Sequence, residues 1–338
     1  MMYRFPLALL ISLVLLSSVH GEEPLHIKLG TIAPNGTSLH RVMRMLEQDW
    51  EKTSKGRVKV TVYAGGIQGG ELAMAQRLKL NSLQGGLFTA SGLGKLEPRV
   101  NGLQSVPMIF RSLEEKDYVV EKLGERLEKM LAEKGLVVLA WSDAGWARWF
   151  TNVKAVTPDD MRKLNVYTWV GDPESQGVYR SVEFKAVPLD TGEILTGLKT
   201  GLIDAIAMPP FAANAMQVYR ETPHMLDLDW GIVVGAIVLN KETWEKIPAD
   251  LRAHYLKSAK GAGKVIQALG RKEAAQSIKT MKSKWGLQVH SVDEATLADW
   301  REASERTHKV IRGGLVPEEI FDALLATVKE YRESKGGE

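Results

Sequence analysis

The residues that could carry chemistry are few and badly placed for it. The 338-residue chain has no cysteine, which removes disulfides, thiolate metal sites, iron–sulfur clusters, Cys nucleophiles and a lipidated N-terminal Cys together. Its seven histidines (His20, His26, His40, His224, His254, His290, His308) are scattered, with no His-Glu-x-x-His motif and no pair at metal-ligand spacing on one helix. Ser91 stands in Thr89-Ala90-Ser91-Gly92, which lacks the leading glycine of a nucleophile elbow. Gly65-Gly66-Ile67-Gln68-Gly69-Gly70 does not have the glycine spacing of a dinucleotide fingerprint and reads as a loop entering a helix. Lys260-Gly261-Ala262-Gly263-Lys264 resembles the tail of a Walker A loop, but Ser258 stands where the first glycine belongs and Val265 where Ser or Thr belongs. No nucleophile, acid–base pair, metal centre or cofactor cradle is specified, so binding is the expected activity and no cofactor is expected.

The aromatic residues point to where binding would occur. Five of the nine tryptophans (Trp141, Trp146, Trp149, Trp169, Trp230) fall between residues 141 and 230. A single large aromatic is most often core. A cluster at the junction of two structural units reads instead as a pocket wall, because ligands bind preferentially where domains meet. The expected ligand contacts are Tyr167, Trp169, Ile206, Met208 and Phe211, at strand ends and the loop after them, with Trp146 and Arg148 at the junction. Met74, Met108 and the Ser91 loop should face them from the other side.

Elements that alternate between the strand and helix periods would position these residues. His26 to Ile32 reads as a strand, and Leu39, Val42, Met43, Leu46 and Trp50 keep one face of a helix that Ser38 can cap. Val58, Val60 and Val62 alternate as the next strand, which completes a βαβ unit. Glu71 to Leu83 reads as a helix, Gly86 to Ser91 as a strand, Ser112 to Lys134 as a charged amphipathic helix and Leu136 to Trp141 as an apolar strand. A second set follows: strands Leu164 to Trp169, Leu202 to Met208 and Ile232 to Leu239, with a helix over Thr191 to Thr200. Helix formers then run from Pro248 to about Lys284, long enough to bridge two lobes, with Gly261, Gly263 and Gly270 as weak points. Leu287 to Val292 and two helices, Asp293 to Ile311 and Pro317 to Ser334, close the chain.

The pattern predicts an α/β protein of two lobes with a cleft between them. Lobe one comprises 25–143 plus 231–265, lobe two 144–230 plus 266–312, and a C-terminal helix occupies 313–338. Lys and Arg number 44 against 41 Asp and Glu, interspersed, so there is no basic stripe and nucleic acid is not an expected partner. The first 21 residues read as an export signal: Arg4 supplies positive charge, Phe5 to Leu16 are apolar, and Ser17-Ser18-Val19-His20-Gly21 is rich in small residues, with cleavage expected near Gly21. That places the mature chain in the periplasm.

Seven segments then occur in an order similar to that of the periplasmic solute receptors of TRAP transporters. They are Ile32 to Ser38, Lys55 to Val60, Val106-Pro107-Met108-Ile109-Phe110, Arg148-Trp149-Phe150-Thr151-Asn152, Pro158-Asp159-Asp160-Met161, Gly192-Glu193-Ile194-Leu195 and Val238-Leu239-Asn240-Lys241. The resemblance covers essentially the whole mature chain. It implies a non-catalytic receptor of two α/β lobes that delivers a small molecule to a membrane permease.

Most receptors of this kind hold an organic acid with an arginine on the strand after the Pro-x-Asp segment. Seven residues on from Asp160 stands Tyr167. A bidentate carboxylate clamp is therefore missing, although the second family arginine is kept as Arg148. The Gln-Glu-Asn that usually precedes the next proline is replaced by Ile206, Ala207 and Met208. The resemblance is then to the receptors that lack the arginine and work with a periplasmic tetratricopeptide-repeat partner, some of which handle hydrophobic molecules. The expected ligand is small and largely hydrophobic. The alternatives are a carboxylate receptor using Arg148, or a non-transporting interaction protein for a repeat partner.

Overall fold

The computed structural model of the chain describes residues 23–170 and 172–336; the export signal expected over 1–21 lies outside them. The first unit is β1 (Leu25–Thr31), α1 (Ser38–Ser54), β2 (Val58–Tyr63), α2 (Glu71–Lys79) and β3 (Gly85–Thr89). Thr37, not Ser38, caps α1, accepting from the His40 N–H. Buried Val58, Val60 and Val62 on β2 give the alternation of a strand facing a helix. A short helix α3 (Ala90–Gly94), a 3₁₀ turn (Pro98–Leu103) and α4 (Leu113–Glu133) follow.

Two long strands organise the rest. β4 spans Leu136–Thr151 and β8 spans His224–Asn240, and they pair antiparallel as a ribbon with register shifts at three places between Val138 and Trp149. The sequence shows only the apolar part of each, because the shifts around Asp143, Ala144 and Gly145 break the period of two by which a strand is read. Between them in the chain lie α5 (Pro158–Met161), β5 (Asn165–Trp169), α6 (Pro173–Ser181), β6 (Lys185–Leu189), α7 (Ile194–Thr200), β7 (Ala205–Met208) and α8 (Pro210–Met216). After β8 come α9 (Lys241–Lys246), α10 (Ala249–Trp285), β9 (Gln288–Ser291), α11 (Glu294–Ile311) and α12 (Glu318–Ser334).

The strands form one mixed sheet in the order β2-β1-β3-β8-β4-β7-β5-β6, with β9 beside β8. At one end of the ribbon β3 pairs with Gly235 to Leu239 of β8; at the other, β7 pairs with Arg148 to Thr151 of β4 and β9 with His224 to Asp227 of β8. The ribbon thus carries a first set of strands (β1 to β3) and a second (β5 to β7, β9), each with its own helices. α12 packs into the first set's core through Ile320, Phe321 and Leu324, while Trp300 of α11 is buried in the second set's core. Among the described residues no helix is long and apolar enough to cross a membrane.

α10 is unbroken over 37 residues, about 55 Å at 1.5 Å per residue. Tyr255 stacks on Trp50 of α1 with ring centroids 4.4 Å apart, and Met281, near the helix's other end, sits in a core of the second set. Its glycines are not alike. A Cβ at Gly263 would stand 2.9 Å from both Ala140 Cβ and the Trp141 carbonyl oxygen, so glycine there lets the helix lie on β4; Gly261 faces open space. Gly261→Ala should therefore stabilise the protein by up to about 1 kcal/mol through helix propensity. Gly263→Ala should forfeit that gain, and Gly263→Leu should destabilise by about 2 kcal/mol, as read by urea denaturation.

Candidate ligand-binding site

A cavity of about 390 Å³ lies where the two sets meet over the ribbon. The first set contributes Thr31 to Pro34, Phe88, Thr89 and Ser91; the second contributes Tyr167, Trp169, Ile206, Met208 and Phe211. Trp230 and the Gly231 to Gly235 stretch of β8 form part of the ribbon's share of the wall. Tyr167 and Trp169 stand at the C-terminal end of β5, and Met208 ends β7 just before α8, which is where open α/β sheets offer their side chains to ligands. Behind them Trp149, Tyr179, Phe184, Trp230 and Trp300 form a continuous aromatic cluster with successive ring centroids 5.3 to 6.5 Å apart. Burial pushes the Tyr179 phenol up to about 12, and raises that of Tyr167 as well, so both are neutral hydroxyls at neutral pH.

The charge of the wall is one-sided. Among the described residues no Lys, Arg or His lines the cavity, whereas Glu71, Asp143 and Asp172 do. Two of these acids are already matched by the protein. Asp143 lies 2.7 Å from Lys116 Nζ and 2.9 Å from Arg271 Nη2. Burial alone would raise its pKa, but those two cations outweigh it and hold the carboxyl below its usual range. Asp172 lies 2.7 Å from Lys95 Nζ. Glu71, in the first turn of α2, is 1% exposed; Oε1 accepts from the Thr89 N–H at 2.6 Å and Oε2 from the Thr89 hydroxyl. Burial raises it to about 7 against those hydrogen bonds.

Of the residues singled out from the sequence, Tyr167, Trp169, Ile206, Met208, Phe211 and Ser91 line the cavity. Four do not. Met74 is fully buried in the first set's core, its sulfur lying against Gly30. Met108 packs against the second set's core, its N–H donating to the Trp230 carbonyl at 2.8 Å. Trp146 packs on the first set's core rather than on the cavity. Arg148, expected as an anionic contact, is paired with Asp229 and lies 3.5 Å from Asp227, both on β8 beside it. The reason is register: of this stretch of β4, Ser142, Asp143, Ala144 and Ala147 face the cavity.

Sequence reasoning missed Glu71, Asp143, Asp172, Phe88 and Tyr179. Glu71 reads as an ordinary first-turn acid favoured by the helix dipole. Asp172 does the same for α6, whose cap it is. Nothing in one sequence says that these acids are buried.

Glu71 yields a pH test. Its folded pKa of about 7 lies above the unfolded value of 4.5, so its contribution is fully present below pH 4.5 and is lost as pH rises through about 7. Over that window the wild type should lose about 3 kcal/mol relative to Glu71→Gln in urea denaturation. Arg148→Met should cost about 1 kcal/mol, because Asp227 and Asp229 are each more than a third exposed, and should leave ligand affinity unchanged.

Residues 29–312 match DctP, the bacterial extracellular solute-binding protein, family 7. A solute-binding protein of Chromohalobacter salexigens is 28% identical over 269 residues, covering 77% of this chain and 76% of that one. The C4-dicarboxylate-binding periplasmic protein DctP of Rhodobacter capsulatus is 24% identical over 317 residues, covering 91% and 92%. Among solved structures, the sugar acid binding protein of Advenella mimigardefordensis in complex with galactonate superposes with a TM-score of 0.83 at 17% identity, over 90% or more of both chains. With its two strand sets, its ribbon and a family match over most of its length, the chain belongs to the DctP family of bacterial extracellular solute-binding proteins.

Proposed function

We propose that this protein is the periplasmic receptor of a TRAP-type transporter and that its ligand is a small, largely apolar molecule without a carboxylate. The observation that carries the reading is the cavity's charge. It has acids in its wall and no cation among the described lining residues, and Tyr167, Ile206, Ala207 and Met208 line it where the family resemblance implies an arginine and a polar triplet. A carboxylate entering it would shed its water and find hydroxyl and amide groups but no counterion among the described lining residues, a cost of several kcal/mol. An apolar ligand meets packing instead. Removal of on the order of 200 Å² of its surface from water supplies about 5 kcal/mol towards binding.

In this reading the two lobes are 25–143 plus 231–265 and 144–230 plus 266–312, followed by a C-terminal helix within 313–338. The chain reaches the periplasm through its leader, hands ligand to the permease subunits, and has a periplasmic tetratricopeptide-repeat protein as a further partner. The competing reading is an acid receptor, favoured by the galactonate in the Advenella structure. It would have to be anchored by something other than Arg148, which Asp227 and Asp229 occupy.

Two titrations separate these. The neutral dye N-phenyl-1-naphthylamine should bind saturably at one site with micromolar affinity, while calorimetry with D-galactonate and with succinate should give no heat of binding. The double variant Tyr167→Arg, Met208→Asn should lose at least about 100-fold in dye affinity, since it places a charged guanidinium and an amide on the surface that packs the apolar ligand. Tight binding of either acid with no dye binding would overturn the apolar reading. Failure to bind any of the three, together with co-purification of a repeat protein, would favour the non-transporting interaction protein.

A further inference from the structure

One ion pair bridges the two strand sets at a place where the backbone does not. Lys95 directly follows α3, which leaves β3 of the first set; Asp172 directly precedes α6, which follows β5 of the second. Three strands, β8, β4 and β7, separate β3 from β5 in the sheet. Yet Lys95 Nζ lies 2.7 Å from Asp172 Oδ1 and 3.7 Å from Glu174 Oε2. The pair is nearly sealed from water, with the Lys95 side chain 14% exposed and that of Asp172 7%, unlike the many surface pairs of this protein. Asp172 is at once a cavity-lining residue and the cap of α6, accepting from the Ser175 N–H. Beside this bridge a second contact crosses the same gap. The indole of Trp169 rests on Gly70, so closely that a Cβ there would come within 3.0 Å of Cζ2.

We propose that the Lys95–Asp172 pair, with Trp169 seated on Gly70, is a clasp that holds the two sets closed over the cavity. The clasp is made wholly of protein groups, so it favours the closed arrangement whichever ligand is bound. A pair this well shielded is screened little by salt while it is made. When the sets part, both charges return to water and the attraction falls to the small value of exposed ions. Release of ligand is then governed by the breaking of this pair as well as by contacts to the ligand, and Lys95, which does not line the cavity, sets retention rather than specificity.

The absence of cysteine lets the distance between the sets be read directly. Leu80 in the first set and Leu202 in the second are 78% and 50% exposed, and Leu80→Cys, Leu202→Cys accepts two spin labels. Pulsed electron–electron resonance on this parent should give one narrow distance distribution. Lys95→Met should add a second population at a different separation, and Lys95→Arg should restore the single one. Asp172→Asn keeps an oxygen for the α6 cap while removing the charge, and should behave like Lys95→Met; it serves as the test if Lys95→Met does not fold. Release of N-phenyl-1-naphthylamine in stopped flow should be roughly tenfold faster in either charge-removing variant. Distance distributions identical to the parent in Lys95→Met and Asp172→Asn would overturn the clasp. If the distances change but the dye never binds, the clasp stands and only the apolar-ligand reading fails.

Discussion

The antiparallel pairing of β4 with β8 is the constraint on which everything else rests. Each strand set is completed by one end of this ribbon, and the cavity lies over its middle. That middle is irregular, with a left-handed Gly145 and shifted register, and an irregular strand pair needs support from outside the ladder. Asp143 supplies it. Its carboxylate receives the Gly145 N–H, Lys116 from α4 and Arg271 from α10, so one buried anion ties the bulge to a helix of the first set and to the long helix that reaches both. The desolvation cost of burying Asp143 is offset because two cations and a backbone donor satisfy it.

The same arrangement decides what the cavity can hold. The cations paired to the acids of its wall are Lys116 and Arg271 on Asp143 and Lys95 on Asp172. Arg148 is turned to Asp227 and Asp229 on the neighbouring strand. What remains facing inward is aromatic and aliphatic surface, the hydroxyls and amide of residues such as Ser91, Gln104, Ser105 and Thr168, and the Glu71 carboxyl that burial raises to about 7. Specificity in such a site comes from exclusion as much as attraction, since an anion would bring a charge that no cation among the described lining residues answers.

Much of this was legible in the sequence. Regular alternation in β2 and the 3.6-residue stripe of α1 and α4 survive into the structure because each buries one face against one neighbour. The strand-end positions of Tyr167, Trp169, Ile206 and Met208 could be read because a strand's end is marked by the turn after it. The outer halves of β4 and β8 could not, since bulges erase the period by which strands are recognised. β6 was equally hidden: Lys185 to Leu189 has an intermediate-to-exposed burial pattern, as an edge strand carrying a proline does. Met74, Met108 and Trp146 were misplaced for a simpler reason. A residue's chemistry says that it prefers burial, and only the packing says whether it is buried against protein or against a ligand.

The ribbon also orders events in time. Residues 85–89 pair with 235–239, residues 224–227 pair with 288–291, and Phe321 fills a core that begins near Met74. Neither core can therefore close until almost the entire chain has been synthesised. Loops of this length make folding slow and strongly non-local. A long-lived unfolded interval is a hazard in a crowded compartment. In the proposed periplasmic receptor, which must cross a membrane before it folds, the same delay would keep the chain extended long enough to pass.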